Sequence, residues 1–364
     1  MKKKDLLLFI PSIEDGGVEK NFYIIASYLE KKHKSIQLIT TKKIKRGVFK
    51  NIKTINPSIN LENLKGRKIK YLFCLLILFK KILFNKNYLV FAFQANLYCV
   101  ILCKFLNIKV ITRSNSSPEG WSKNPIKFYL YKKISSLADT IIVNSVEFKK
   151  EFKKKFSINT TCILNPLNKK EILKKSKIKV KKIFSKNKLK LITVGRLVDQ
   201  KDQITFLKSL NLLKKKCKFE AIIVGSGNKL YELKNYINKN NLNDSVKILN
   251  FKKNPFPIIK EADLFVLTSK YEGLPNVLLE AQTLKKFIIS TNCPTGPSEI
   301  LKNGKCGSLV KVGDYKSLNK EIQKFIKKNF KSKKMINHGY ESLIRFDKKS
   351  NLNKYFNLVN NFLK

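Results

Sequence analysis

Two glutamates in the segment YEGLPNVLLEA (271–281) carry the clearest chemical signal of the chain. Glu272 and Glu280 stand eight positions apart, around a glycine, a proline and an asparagine. The apolar residues before them predict a buried strand, and those from 276 onward predict a helix whose first turn accommodates Pro275. Free amides at such a helix N-terminus bind anions, whereas a carboxylate accepts hydrogen bonds from sugar hydroxyls. A nucleotide sugar, with its phosphates between two polyols, satisfies both preferences.

A plainer interpretation of the two glutamates is open at this point. One would stabilise the positive end of the helix dipole, and the other would be a solvated helix residue. The choice depends on whether other segments of the chain bring the same chemistry.

Basic residues follow another predicted strand, in the segment VGRLVDQKD (194–202). Arg196 emerges at the strand end, and Lys201 follows at the start of the next helix. An arginine fork and a lysine point charge together clamp a diphosphate. The alternative is a solvated basic pair in a lysine-rich chain, but the position at the carboxyl end of a strand favours the functional interpretation.

Three further segments place polar or small residues where a strand meets a helix or a loop. Gly225 lies in IIVGSGNKL, which lacks the third glycine of a dinucleotide fingerprint, so a close approach to a ligand and a tight turn are equally compatible. Gly17 lies at the predicted N-terminus of the first helix, where a simple glycine turn is the alternative to a phosphate or acceptor contact. Arg113 and Asn115 follow a strand in ITRSNSSPEGW.

Composition narrows the classes of partner. The chain has 364 residues, which favours two domains, and 76 Lys+Arg against 25 Asp+Glu give a formal charge of +51. Such a charge suits nucleic acid, anionic lipid or phosphorylated substrates, but the lysines are spread over nearly every segment, as in a biased composition. Two histidines and seven cysteines without a CxxC pair argue against a metal site and indicate reduced thiols in a cytosolic protein.

Strand and helix patterns alternate along the chain in two series, which predicts an α/β protein with parallel sheets. The predicted strands are 6–10, 35–40, 88–93, 109–112 and 140–145, then 189–195, 219–227, 246–251, 262–269 and 287–292. We expect an N-terminal domain (1–168), a basic linker (169–188), a C-terminal nucleotide-sugar-binding domain (189–345) and a last helix (346–364) that packs back toward the N-terminal domain.

The segments GGVEK, VGRLVDQKD, VGSG, YEGLPNVLLEA and CPTGPSEIL, in this order and spacing, resemble the retaining glycosyltransferases of family 4, typified by bacterial lipopolysaccharide and N-glycan sugar transferases. The resemblance is specific over 189–315 and looser before residue 165. It implies the GT-B fold, in which two Rossmann-like doubly wound parallel-sheet domains face each other across a cleft.

The resemblance also assigns roles to residues. Glu272, Arg196 and Lys201 would be catalytic, with Glu272 at the donor sugar and the basic pair on the diphosphate. Glu280 would bind the ribose. The nucleotide-sugar-binding set would be Gly17, Gly225, Gly273, Leu274, Pro275, Asn276, Val277 and Glu280. Many relatives carry a histidine where this chain has TRSNSSP, so Arg113 or Asn115 would substitute on the acceptor and donor-sugar side.

Taken together, these features predict a cytoplasmic, retaining glycosyltransferase that needs no metal or cofactor, because no Asp-x-Asp pair is present and the basic residues meet the leaving-group charge. It would move a hexose or N-acetylhexosamine from a nucleoside-diphosphate sugar, UDP-linked, to a lipid-linked glycan in polysaccharide or lipopolysaccharide biosynthesis. The alternatives are a GT-B enzyme with soluble substrates, such as a glucan or sucrose-type synthase, and a basic nucleic-acid-binding protein. No nucleic-acid-binding module is recognisable, so nucleic acid is not an expected partner.

A membrane contact is expected from the segment 66–86, in which basic residues such as Lys80 and Lys81 flank an apolar run. The run is only nine residues long, whereas a membrane-spanning helix needs about twenty. The segment therefore predicts a peripheral contact with the anionic inner membrane surface, to which Trp121 would add. The alternative is a core helix whose lysines are simply solvated. Neither the sugar, the acceptor, the linkage nor the oligomeric state follows from the sequence.

Overall fold

The computed structural model describes residues 4–14, 16–62, 64, 66–115, 124–180, 183–185, 187–327 and 329–364, the side chains of 329–331 excepted. Trp121, expected at a membrane or acceptor, lies outside the described residues. The chain divides into two compact units. Unit 1 consists of Met1–Pro166 and Lys348–Lys364, and unit 2 of Leu167–Asp347.

Strands and helices alternate through both units. The strands are β1 (Asp5–Phe9), β2 (Ile36–Ile39), β3 (Ile52–Ile55), β4 (Tyr88–Ala92), β5 (Lys109–Arg113), β6 (Thr140–Val143), β7 (Thr161–Cys162), β8 (Leu189–Val194), β9 (Phe219–Val224), β10 (Val246–Leu249), β11 (Leu264–Leu267), β12 (Phe287–Thr291) and β13 (Ser308–Val310). The helices are α1 (Gly17–Leu29), α2 (Lys68–Phe84), α3 (Asn96–Phe105), α4 (Pro125–Ser136), α5 (Val146–Phe156), α6 (Lys169–Lys175), α7 (Gln203–Leu213), α8 (Leu230–Lys239), α9 (Phe256–Glu261), α10 (Asn276–Thr283), α11 (Pro297–Ile300), α12 (Tyr315–Lys327), α13 (Asn329–Ser342) and α14 (Lys348–Leu363).

Unit 1 is built on a seven-stranded parallel sheet in the order β3-β2-β1-β4-β5-β6-β7. Every residue of β4 is buried, as expected for a parallel strand covered on both faces. Helices α1 and α14 cover one face through side chains such as Phe22, Ile25 and Tyr355. Helices α2 and α3 cover the other face through Cys74, Leu78 and their neighbours. The unit is therefore a three-layer α/β structure.

Unit 2 contains a six-stranded parallel sheet in the order β10-β9-β8-β11-β12-β13. Helices α7, α8 and α12 supply apolar side chains to the core on one face, and α10 and α13 pack against β12. The chain reverses its direction of winding between β8 and β11 in this sheet, and between β1 and β4 in the sheet of unit 1. Ligands of doubly wound sheets bind outside the carboxyl ends of the strands at such switch points.

The predicted parallel α/β architecture is confirmed, and each of the ten predicted strands is present with its ends shifted by at most three residues. The additional strands β3, β7 and β13 are short and only partly buried, so they lack a continuous apolar run. The segment 169–188, interpreted above as a linker, begins with α6. Its Ile172 is buried within unit 2 because α6 packs against α9 and α10.

Arg113, the last residue of β5, has a fully buried side chain in unit 1. Its Nε donates to the hydroxyl of Tyr355 on α14 at 2.9 Å, and its Nη2 donates to Asn165 Oδ1 at 2.7 Å. Its Nη1 donates to Asn115 Oδ1. The guanidinium thus joins α14 to the carboxyl end of β5. This environment argues against the direct sugar contact expected for Arg113 and gives the residue a structural role.

We predict that Tyr355→Phe lowers the free energy of unfolding by about 1.5–3 kcal/mol, because a buried N–H of a charged group loses its acceptor. Chemical denaturation of the full chain measures this change. Tyr98→Phe removes the same hydroxyl from a side chain that is 59% exposed, and should have little effect. Equal stability of the Tyr355→Phe variant and the parent protein would contradict the structural role of this contact.

Candidate functional site

The candidate site lies in unit 2, in the loops that follow β8 and β11 on either side of the switch point. These strands are parallel neighbours, so their carboxyl ends lie at the same edge of the sheet. The loop after β8 carries Arg196 and Lys201, and the loop after β11 carries Glu272. The fold therefore brings together three residues that are up to 76 positions apart in the sequence.

An ion pair between Lys201 Nζ and Glu272 Oε1 joins the two loops. The side chains are only 15% and 8% exposed, and Ser269 Oγ donates to the same carboxylate oxygen at 2.6 Å. Charges that leave water are tolerated only when they are paired and hydrogen-bonded. The ammonium group of Lys201 is consequently held in one position at the edge of the sheet.

Backbone and side-chain hydrogen bonds fix the two loops further. Lys270 N donates to Gln200 O at 2.8 Å, and Gln200 Nε2 donates to Tyr271 O at 2.9 Å. Thr268 Oγ1 donates to Lys201 O at 3.0 Å. The residues on both sides of the ion pair are therefore bonded to each other, which makes the site rigid before any ligand arrives.

Arg196 differs from Lys201 in being exposed. Its carbonyl oxygen accepts a hydrogen bond from Gln203 Nε2 at 2.8 Å, which anchors the backbone. Its Nη2 contacts Gln200 Oε1 at 3.4 Å, a long hydrogen bond. The guanidinium is therefore accessible to an anionic ligand while its backbone is fixed.

The N-terminus of α10 lies directly after Glu272. The turn of Gly273, Leu274 and Pro275 leads into the helix, and Pro275 occupies the N-cap position ahead of Asn276 and Val277. Glu280 follows on the helix, with 6% of its surface exposed. Backbone amides at a helix N-terminus are the donors expected for an anion.

The loop after β12 closes against this turn at Gly296. The φ of Gly296 is +88°, and a Cβ atom there would lie 2.2 Å from the carbonyl oxygen of Gly273. Thr295 Oγ1 donates to Glu272 O at 2.6 Å. Only glycine fits at position 296, for reasons of both conformation and space. The segment CPTGPSEIL thus supports the turn that carries Glu272.

Cys293 lies beside Glu272, but its thiol is unreactive. Burial raises the pKa of its thiol to about 12, and the negative charge of Glu272 acts in the same direction. The thiol is therefore neutral near pH 7 and a poor nucleophile. None of the seven cysteines forms a disulfide bond in the structure.

Gly225 and Gly227 follow β9 and lie against the backbone after β8. A Cβ atom on Gly225 would be 1.9 Å from Gly195 O, and one on Gly227 would be 2.2 Å from Leu197 O. The glycines are therefore required for the close packing of two backbone segments. A contact of Gly225 with a nucleotide stays a prediction.

Unit 1 holds the other predicted site residues. Gly17 is the first residue of α1, and Asn115 Nδ2 donates to Phe93 O at 3.1 Å. At the switch point between β1 and β4, Gln94 Oε1 accepts from Ser12 N and Gln94 Nε2 donates to Glu19, both at 3.1 Å. The structure thus places Gly17 beside a polar cluster, and Arg113 and Asn115 in a buried network.

Several residues of the site were not predicted from the sequence, among them Gln200, Ser269 and Thr295. Ser269 lies three residues before Glu272, a spacing that favours a local hydrogen bond, but nothing in the sequence distinguishes it from other serines. No group of three potential metal ligands (His, Cys, Asp or Glu) comes together within the described residues. Among the same residues, no helix is long and apolar enough to cross a membrane.

Comparison with known proteins supports the class of enzyme expected from the sequence. The family model for glycosyl transferases group 1 matches residues 174–342, which is nearly all of unit 2. An uncharacterized glycosyltransferase of Methanocaldococcus jannaschii is 37% identical over 198 residues, 49% of this chain, and the match spans about half of that relative (48%). The family match supports a group 1 glycosyltransferase over the residues that it covers.

A relative from Campylobacter jejuni aligns over almost the whole chain. It is an N-acetylgalactosamine-N,N'-diacetylbacillosaminyl-diphospho-undecaprenol 4-alpha-N-acetylgalactosaminyltransferase, 25% identical over 357 residues, with 94% of this chain and 95% of the relative covered.

Solved structures with the same fold include Anabaena Alr3699/HepE in complex with UDP-glucose, at a TM-score of 0.79 and 17% identity over 98% of this chain and 99% of that one. A sucrose-phosphate synthase from Thermosynechococcus elongatus aligns at a TM-score of 0.80 and 15% identity over 99% of both chains. The expected GT-B fold is thereby confirmed.

We predict that Lys201 and Glu272 are energetically coupled. Lys201→Met and Glu272→Gln should each lower the free energy of unfolding by about 1–3 kcal/mol, because each leaves a partly buried group without its partner. The double variant should lose less than the sum of the two, as measured in a double-mutant cycle by chemical denaturation.

The exposed pair Lys324–Glu321 on α12 is a matched control. The side chain of Lys324 is 71% exposed, so Glu321→Gln should change the free energy of unfolding by less than about 0.5 kcal/mol. Strictly additive effects at positions 201 and 272 would refute the coupling.

We further predict that Gly225→Ala lowers the stability of unit 2 by about 1–3 kcal/mol, because the added methyl group overlaps a backbone carbonyl. Gly195→Ala is the control, since a Cβ there would have only ordinary contacts with the Lys201 side chain at 3.6 Å or more. Thermal unfolding of both variants measures the difference. A Gly225→Ala variant as stable as Gly195→Ala would show that the two loops are not closely packed.

Proposed function

We propose that the protein is a retaining, family 4 glycosyltransferase that moves a hexose or N-acetylhexosamine from a UDP-sugar to a lipid-linked glycan. The observation that carries this proposal is the ion pair of Lys201 and Glu272 at the switch point of unit 2. It lies in the same two loops as the exposed Arg196 and the N-terminus of α10.

The proposed chemistry follows from the charge of the leaving group. Departure of a nucleoside diphosphate concentrates negative charge on its phosphates. Arg196, Lys201 and the first amides of α10 would stabilise that charge because they are already in place before the reaction. Lys201 would act with its position set by Glu272 and Ser269.

The carboxylates would bind the two sugars of the donor. Glu280, on α10, would accept hydrogen bonds from the ribose hydroxyls, and Glu272 would combine contact with the donor sugar and orientation of Lys201. The leaving phosphate would accept the proton of the acceptor hydroxyl, so the reaction requires no histidine base. With this set of cationic groups, we propose that neither a divalent metal nor a cofactor takes part.

The choice of UDP and of a lipid-linked acceptor is supported by the comparisons. UDP-glucose is bound in the Anabaena protein, which has the same fold. The name of the Campylobacter relative specifies a diphospho-undecaprenol acceptor, and that relative aligns over 94% of this chain. We therefore propose a role in cell-surface polysaccharide or lipopolysaccharide biosynthesis, at the cytoplasmic face of the membrane, with unit 1 as the acceptor-binding unit.

A GT-B enzyme with soluble substrates is the second candidate. The observation in its favour is the similarity of fold to the sucrose-phosphate synthase, at a TM-score of 0.80. The two candidates share the donor site and differ in the acceptor. A transfer assay with lipid-linked and with free sugar acceptors therefore separates them.

We predict that UDP binds to the purified chain in excess chelator, as measured by calorimetry. Glu280→Ala should weaken this binding about tenfold, the size expected for the loss of one or two hydrogen bonds to the ribose. Glu232→Ala, which changes an exposed glutamate on α8, is the control and should leave the affinity unchanged. Binding that requires magnesium, or equal affinity of the Glu280→Ala variant and the parent, would refute the proposed site.

A further inference from the structure

Three neighbouring helices of unit 1 expose large apolar side chains. We call this set the apolar face. It consists of Ile69, Leu72, Leu76, Phe79, Leu83 and Phe84 on α2, Tyr98, Ile101 and Phe105 on α3, and Ile126, Tyr129 and Leu130 on α4. The helices lie side by side, because α3 packs against both α2 and α4. Of the 26 large apolar side chains that are exposed in the described part of the chain, these three helices carry 12.

Helix α2 is apolar on two opposite sides. Cys74, Leu78 and Ile82, four residues apart, are buried against the sheet. Leu72 precedes Cys74 by two positions and Leu76 precedes Leu78 by two positions, which places both leucines on the opposite side of the helix. They are 56% and 55% exposed. For segment 66–86 the sequence allowed either a core helix or a surface contact. The inner side of α2 fits the first interpretation, and its exposed apolar outer side is compatible with the second. The core does not account for the outer side.

Helices α3 and α4 extend the outer surface. On α3, Cys99 and Cys103 face the core while Phe105 is 81% exposed. On α4, only Ser135 is buried, and Ile126 is 70% exposed. Side chains of α2 and α3 line a groove of about 360 Å³, and none of the lining residues is charged. A contiguous surface of this kind on a protein indicates a binding partner.

The charged residues of helices α2, α3 and α4 themselves all have one sign. Helices α2, α3 and α4 contain eight lysines and no aspartate or glutamate, although the chain as a whole has 25 acidic residues. Lys70 is buried and Lys104 pairs with Asp139. Lys80, which is exposed, and Lys81, which is partly exposed, lie near the end of α2 and are among the lysines available to an anionic partner. Apolar side chains that lie among basic ones are typical of surfaces that bind anionic membranes.

We propose that the apolar face docks on an anionic lipid bilayer, with its apolar side chains in the acyl boundary and its lysines at the headgroups. This proposal rests on the proposed function, since a lipid-linked acceptor requires such docking, and it assigns the contact to three helices where the sequence indicated one. A second copy of the chain is a less suitable occupant, because two such faces would bring lysines against lysines.

Flotation of the purified full-length chain with vesicles tests the proposal. Binding should occur to phosphatidylcholine vesicles that contain phosphatidylglycerol, weaken as salt increases, and be nearly absent with phosphatidylcholine alone. The double variant Leu72→Ser, Phe105→Ser should lower the bound fraction about tenfold, because two apolar side chains no longer insert into the acyl boundary of the bilayer. Tyr231→Ser, Ile344→Ser changes two side chains of similar exposure in unit 2, and should bind like the parent.

The charge contribution is tested separately. Lys80→Gln, Lys81→Gln should lower binding to anionic vesicles about tenfold, whereas the control Lys316→Gln, Lys320→Gln on α12 should not. Circular dichroism confirms that each variant is folded. Equal effects of the paired variants would show binding through net charge alone and overturn the proposal. So would a lipid-free dimer, seen by analytical ultracentrifugation, that Leu72→Ser, Phe105→Ser dissociates.

UDP binding by the same variants separates this proposal from the proposed function. The apolar-face variants should retain the UDP affinity of the parent protein, because the changed residues lie in unit 1 and the nucleotide site in unit 2. Loss of vesicle binding with intact UDP affinity supports docking. A parent protein that binds vesicles but not UDP would leave the docking surface in place and refute the nucleotide-sugar site instead.

Discussion

The pairing of Lys201 with Glu272 is the interaction on which the candidate site depends. Opposite charges with so little exposure are stable only when each has a partner, so the loops after β8 and β11 are held together wherever this pair forms. The hydrogen bonds of Ser269, Thr268 and Gln200 add to the same constraint. The result is a lysine whose ammonium group is fixed beside an exposed arginine and a helix N-terminus, a set of groups suited to a diphosphate.

The parallel sheet explains why this pair forms at that place. In a doubly wound sheet the chain leaves β8 in one direction and later returns on the other side of it as β11, so that two distant segments end at adjacent positions. Close packing of the loops then requires residues without side chains. Gly225 and Gly296 meet this need, because a Cβ atom at either position would overlap a neighbouring carbonyl oxygen. Gly225, for which the sequence allowed either a ligand contact or a tight turn, is thus required for backbone packing.

In unit 1 the main constraint is a buried arginine, whose guanidinium needs hydrogen-bond acceptors within the fold. The fully buried Arg113 has acceptors in Tyr355, Asn115 and Asn165, which come from α14, the loop after β5 and the end of the first chain segment of this unit. The last helix of the chain is thereby bonded to a strand that precedes it by more than two hundred residues. Helices α2, α3 and α4 of the same unit combine twelve exposed apolar side chains with lysines as their only charged residues, a combination that suits an anionic lipid surface.

The alternation of strands and helices, the two series of strands and the segments that carry the site could all be predicted from the sequence, because they depend on local periodicity and on residue types at strand ends. The sequence also indicated Arg196, Lys201 and Glu272, through their motifs. The pairing of Lys201 with Glu272, the burial of Arg113 and the two apolar sides of α2 became visible only in the folded chain. Each of these facts depends on which distant segment packs against the residue, and a local pattern contains no information about that neighbour.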